Sequence, residues 1–235
     1  MDSLTRAVPP APTFAGVVPP ARFVAQRGFT LTEMAVVLVI VSLLIGGMIL
    51  PLTAQQDLRN VAETQKLLAD VGEALYGYAA SHKASDNRPY LPCPDTDGDG
   101  RENRAGNACT LQEGTLPWAD LGLGRQDAWN NPLRYRVTAA FSNNANGFTL
   151  LSSGDMRICE NAACTTVIAT AVPAVTFSLG KNGAAAPANA DEQENTDGDT
   201  DFVQRTHVAN GYDDVVAWLP TSILINRMIS AGHQF

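Results

Sequence analysis

Two short runs of acidic residues carry the clearest capacity for chemistry in this chain. Asp95-Thr96-Asp97-Gly98-Asp99-Gly100 alternates carboxylates around a glycine turn, a spacing that can aim several oxygens at one hard cation such as calcium. A complete EF-hand would carry a glutamate at the twelfth position, which here is Gly106. Asp95, Asp97 and Asp99 therefore form either a simpler calcium loop or a solvated acidic turn. Further on, Asp191, Glu192, Glu194, Asp197, Asp199 and Asp201 follow one another with no base between them. Without a cation such groups repel one another and leave the loop loose.

Four cysteines are the second resource. Cys93 and Cys109 bracket the first acidic loop, and Cys159 and Cys164 are separated by four residues. Four cysteines permit three pairings, and the local one, Cys93 with Cys109 and Cys159 with Cys164, is the expectation adopted. Zinc is the rival use, but these spacings lack its usual close pairs. Nothing nucleophilic or phosphate-cradling accompanies them. His82, His207 and His233 are scattered, and neither G-x-S-x-G nor a phosphate-binding glycine loop is present, so no enzyme is expected.

Glu33 is the remaining anomaly. From Met34 to Leu52 there is no charged residue, and Ser42 is the one clearly polar side chain. As a helix, Phe29 to Leu52 spans about 36 Å, enough to cross a hydrocarbon layer of roughly 30 Å. An ionised carboxylate at the edge of such a segment is costly unless something compensates it.

The preceding residues suggest what does. Arg27-Gly28-Phe29-Thr30-Leu31-Thr32-Glu33 resembles the processing site of type IV prepilins and of the pseudopilins of type II secretion. The resemblance implies that a prepilin peptidase cuts after Gly28, that Phe29 becomes an N-methylated terminus, and that Glu33 pairs with the terminal amine of a neighbouring subunit in a filament. Pro51 matches the proline that loosens the family's helix after its apolar run. The implied leader, 28 residues, is long for the family. A Sec signal peptide would have a shorter apolar core, and an uncleaved anchor would leave Gly28-Phe29 and Glu33 without a role.

Arg6, Arg22 and Arg27 precede the run against Asp2 alone, so the N-terminus is expected to stay cytoplasmic and the remainder to be exported. The formal charge is −8, and removing residues 1–28 takes three arginines and one aspartate, leaving −10. An acidic exported domain argues against nucleic-acid binding. The cysteines in such a compartment favour disulfides.

The rest of the chain supplies the elements that position these groups. Residues 1–28 read as a proline-rich leader with too few large apolar residues to fold. Residues 53–82 continue the helix with a stripe of Leu58, Val61, Leu68, Val71, Leu75 and Tyr78. Residues 83–235 form one domain. Trp118 and Trp129 read as core anchors. Asp127-Ala128-Trp129-Asn130-Asn131-Pro132 resembles the Asp-x-Trp-Gly-Asn-Pro segment of major pseudopilins, with Asn130 in the glycine position, where Asn tolerates positive φ. Strands are expected over 133–140, 148–151, 156–159, 164–169 and 172–179. Asp213 to Met228 reads as an apolar helix split or kinked by Pro220 and stopped near Gly232.

In major pseudopilins a Ser-Leu-Gly strand end followed by a loop with late aspartates forms a calcium site. The order of parts matches Ser178-Leu179-Gly180 and the second acidic run, which makes Asn195, Asp197, Asp199 and Asp201 the implied ligands; a loop kept soluble by charge is the alternative.

The expectation is therefore an α+β, pilin-like protein. Its long N-terminal helix, transmembrane in the first half, packs on a small antiparallel sheet. The implied role is a type II secretion pseudopilin, anchored in the bacterial inner membrane with its domain in the periplasm. Its partners would be other pilin or pseudopilin subunits, prepilin peptidase and an inner-membrane assembly platform. A minor type IV pilin and a membrane-anchored periplasmic binding domain are the alternatives.

Overall fold

The computed structural model describes residues 28–208 and 211–235, without the side chains of residues 47–54. The leader, residues 1–27, lies outside what is described, while at Pro51 and the end of the expected membrane run the backbone alone is described, as part of a helix. In chain order the elements are α1 (Leu31–Ser81), β1 (Arg104–Ala105), β2 (Ala108–Cys109), β3 (Glu113–Thr115), α2 (Trp118–Leu121), β4 (Arg134–Val137), α3 (Ala139–Ser142), β5 (Met156–Cys159), β6 (Val167–Val172), β7 (Ala174–Ser178), α4 (Ala190–Glu194), β8 (Asp201–Val203), β9 (Val215–Leu219) and α5 (Thr221–Ser230). The chain divides into two compact units between Met48 and Ile49.

In the first unit, the start of α1 is apolar on every face, so no side of it can be solvated. Leu31 is 88% exposed and Leu43 71%. Ser42 gives its hydroxyl proton to the Leu38 carbonyl at 2.6 Å, which satisfies it within the helix itself. Among the described residues no helix is long and apolar enough to cross a membrane.

In the second unit α1 becomes amphipathic. Val61, Leu68, Val71, Leu75 and Tyr78 are buried, while Leu58 stays 62% exposed. The buried stripe thus begins one turn later than expected, because the core cluster does not extend to Leu58. Each of the fully buried side chains contributes roughly 1.5–3 kcal/mol by leaving water. Val61, Leu68, Val71 and Leu75 share a core with Leu133, Tyr135 and Val137 around β4, Ala174 of β7, and Val215 and Leu219 of β9, whereas Tyr78 packs with Ala84 and Tyr90.

The main sheet runs β3-β4-β7-β9, antiparallel throughout. A second sheet, β6-β5-β8, contains a parallel pair, β5 with β8, that the expected antiparallel sheet did not include. Met156, Ile158, Val172 and Phe202 form a second core with Val175, Phe177 and Val216. As a result β7 is buried at every position, its alternating side chains serving two cores.

Four expected elements differ, one of them the strand expected over 164–169, which runs from Val167 to Val172. The strand after Leu133 ends at Val137 and gives way to α3. Residues 148–151 form a turn instead of a strand. Phe148 is buried against Phe141 and Phe235, whereas Leu150 and Leu151 are exposed. The Thr149 N–H is taken by the Ser152 hydroxyl at 2.9 Å, a local bond that competes with a ladder. The apolar C-terminal stretch is divided at Pro220, but its first half is a strand and not a helix. Val215–Leu219 pairs with β7, as its β-branched and aromatic side chains favour. Pro220 is the N-cap of α5, where its missing N–H costs nothing. α5 packs Leu224 and Met228 into the core, and Arg227 reaches Glu73 of α1 at 3.0 Å.

Candidate functional site

Gly28, Phe29 and Thr30 lie outside the helix, which begins at Leu31. The boundary is set by Thr30 and Glu33. The Thr30 N–H and hydroxyl both donate to Glu33 Oε2 at 2.9 Å, and the Glu33 N–H donates to Thr30 Oγ1 at 3.2 Å. This reciprocal pair is a capping box, which satisfies donors that every helix start leaves open. Phe29 is 80% exposed, and nothing lies within 4 Å of the space a side chain at Gly28 would take. The Gly28–Phe29 bond is thus non-helical and accessible, the state a peptidase needs.

In the first acidic loop Asp95 is buried and acts as an organiser. Its carboxylate accepts the N–H groups of Asp97, Gly98 and Gly100 at 3.1, 2.7 and 2.8 Å. Burial alone would raise its pKa, but the Gly98 and Gly100 N–H bonds prevail and hold it below the ordinary carboxylate range. Asp97 accepts the Asp99 N–H at 3.3 Å, and Asp99 accepts the Arg101 N–H at 2.8 Å. Carboxylate oxygens of Asp95, Asp97 and Asp99 come within 4.8 Å of one another. The Cys93–Cys109 disulfide, with Cα atoms 5.2 Å apart, closes this loop. Cys159 and Cys164, 5.1 Å apart at Cα, close the hairpin of β5 and β6.

In the second acidic loop Asn195 departs from the expected ligand set. It is buried, its Oδ1 accepts the Val203 N–H at 2.7 Å, and its Nδ2 donates to Asp214 at 2.8 Å. Its amide is therefore committed to holding β8 beside β9. Nearby, carboxylate oxygens of Glu194, Asp199 and Asp201 come within 4.8 Å of one another. Burial, then the charges of Asp197, Asp199 and Asp201, push Glu194 upward. Asp197 accepts the Asp199 N–H at 3.0 Å, and Asp201 is paired with the Arg157 guanidinium.

A third acidic group escaped the sequence. Glu192, Asp213 and Asp214 bring carboxylate oxygens within 4.8 Å of one another and are all buried. In the sequence Glu192 belongs to the second acidic run, and Asp213-Asp214 open the apolar C-terminal stretch. The available signal was an adjacent pair of acids entering an apolar strand, since alternation turns one of two neighbours inward. Burial and the Glu192 and Asp213 charges push Asp214 up to about 7, against the hydrogen bond from Asn195. Burial and Glu192 also raise Asp213.

The Asp127–Pro132 segment ties this region to the sheet. Asp127 accepts the Trp129 and Asn131 N–H groups at 2.8 Å each and the Ser178 hydroxyl at 2.5 Å. Asn131 Nδ2 donates to the Gly180 carbonyl at 2.6 Å. Asn130 has φ 68°, the left-handed conformation anticipated at that turn.

Residues 24–49 match the family model described as the prokaryotic N-terminal methylation motif. The chain therefore carries the type IV prepilin-like signal. That motif supports a type IV pilin-like or pseudopilin subunit in general, and implies processing by prepilin peptidase and assembly with other subunits. No curated protein and no solved structure is significantly similar to the chain.

Proposed function

We propose that the chain is a pseudopilin of a type II secretion system, a structural subunit and not a catalyst. Prepilin peptidase removes residues 1–28 at the cytoplasmic face, and Phe29 is then methylated. Residues 29–52 hold the subunit in the inner membrane until an assembly platform extracts it into a periplasmic filament. The observation that carries this is the accessible Gly28–Phe29 bond directly before a helix whose first-turn acid, Glu33, is followed by an uncharged run from Met34 to Leu52. The exposed apolar surface from Leu31 to Ile45 needs lipid or other copies to cover it. Glu33 finds a cation in the freed amine of a neighbouring Phe29.

The same proposal includes calcium at the second acidic loop, held by Glu194, Asp197, Asp199 and Asp201. Hard carboxylate oxygens suit that ion better than a softer metal, and the mutual repulsion acting on Glu194 is the feature that a cation would relieve.

Mass spectrometry of the membrane-extracted protein tests the processing step. The expected chain starts at Phe29 and carries one extra methyl; a chain still bearing residues 1–28 overturns the proposal. Calorimetric titration with calcium tests the loop, with binding expected in the native sequence and lost in Asp199→Asn.

A further inference from the structure

We propose that Arg157 is an internal stand-in for the cation of the second acidic loop, a latch that a calcium ion must displace from Asp201 in order to bind. The inference rests on the calcium reading of that loop and adds its regulation: the loop fills only where calcium is abundant enough to outcompete a guanidinium.

Register puts the guanidinium in place. β5 and β8 run parallel, with Arg157 directly opposite Asp201. Met156 and Ile158, on either side of Arg157, turn inward to the second core, so alternation carries Arg157 to the outer face. Its Nε donates to Asp201 Oδ1 at 2.8 Å and its Nη2 to Asp201 Oδ2. Both oxygens of that carboxylate are taken by one planar fork, a geometry that suits arginine and not lysine. The other acids are less committed. Asp197 and Asp199 each spend Oδ1 on one backbone N–H, at 3.0 and 2.7 Å, and Glu194 stands with Asp199 and Asp201 inside the same 4.8 Å. The Asp201 hydrogen bonds raise Arg157 above the ordinary arginine value, helped by the charges of Asp201, Asp199 and Glu194, so one guanidinium serves all three acids.

An asymmetry in exposure makes the contact a latch. The Asp201 side chain is 12% exposed and that of Arg157 is 50% exposed. The carboxylate is seated, while the guanidinium sits on a solvated stem that can swing away without disturbing either strand. Calcium takes about six to eight oxygens. A guanidinium on Asp201 withholds a carboxylate from the ion and sets a like charge beside it. Arg136 provides the contrast: it is 14% exposed, pairs with Glu113 and donates to the Gly198 carbonyl at 3.2 Å, a tie to the loop backbone that leaves the acids free.

The test uses the full chain in detergent micelles, titrated by calorimetry with calcium chloride. Arg157→Gln is expected to bind calcium about two- to fivefold more tightly than the native chain, the range set by releasing one exposed ion pair, and Arg157→Lys to fall between them. In the native chain the Arg157 Nε–H resonance should shift as calcium saturates the loop. Should Arg157→Gln fail to fold by circular dichroism, Arg157→Lys carries the comparison with a smaller gain. Unchanged or weaker binding in the Arg157 variants, an equal gain in Arg136→Gln, or an Arg157 resonance that calcium does not move overturns the latch. Native binding that Asp199→Asn removes would still leave calcium at the loop in those cases. Absence of calcium binding from both the native chain and Arg157→Gln overturns the two readings together.

Discussion

Thr30 and Glu33 cap one another across the first turn of α1, the threonine giving its N–H and hydroxyl to one carboxylate oxygen and receiving the glutamate N–H in return. The carboxylate that assembly would use is therefore held at the helix start before any neighbour arrives. Replacing Glu33 by Ala is expected to abolish filaments, since a neighbouring amine would then be left without its counter-charge. Electron microscopy of sheared cell-surface and periplasmic fractions checks this; filaments at native levels would contradict it.

The stripe of α1 gives a paired prediction. Leu75→Ala, at a fully buried position, should cost about 2–5 kcal/mol. Leu58→Ala, one face of the same helix but exposed, should stay within about 0.5 kcal/mol of the native chain. Urea unfolding of both variants reads the difference directly.

The Cys93–Cys109 bridge closes 16 residues of sequence, and a loop of that size constrains the unfolded chain by about 3 kcal/mol. The double Cys93→Ser, Cys109→Ser variant should lose about 2–4 kcal/mol. The Cys159–Cys164 bridge, spanning 5 residues, constrains less and should show a smaller loss in the same denaturation series.

Asp95 organises its loop through three backbone N–H groups. Asp95→Ala orphans them and should cost about 1–3 kcal/mol at neutral pH. The carboxyl of Asp95 is depressed in the folded state, so its contribution is full above the ordinary aspartate range and is lost as pH falls through the folded value. The gap between native and variant melting temperatures should therefore narrow only in acid. A gap that widens there would contradict the assignment.

Asn130 sits at φ 68°. Asn130→Ala should cost about 1 kcal/mol, because a β-carbon disfavours that conformation, while Asn130→Gly should be close to neutral. Thermal melts of the two variants distinguish backbone strain from a lost side-chain contact.

Local signals carried much of this molecule. The Gly28–Glu33 spacing, the helical stripe from Val61 to Tyr78 and the turn at Asn130 each depend on residues a few positions apart. What stayed hidden was non-local. Val215–Leu219 has a composition that suits either a buried helix or a strand, and its pairing with β7 decides the matter. Asn195 looked like a loop ligand because nothing near it in sequence reveals Val203 and Asp214 as its partners. The parallel pairing of β8 with β5 joins segments more than forty residues apart, and no pattern within either strand specifies it. The Glu192–Asp213–Asp214 group depends on that same long return.

With both its faces covered, β7 has no solvent side on which a polar substitution could be absorbed. Val175 and Phe177 look one way and Ala174 the other, so the outer three-stranded layer shares its backing wall with the helix-facing core. Peeling that layer away would strand Phe177 and Val216 in water. It is thus a structural storey of the domain rather than a detachable ornament, joined to the helix-facing core through both β7 and β9.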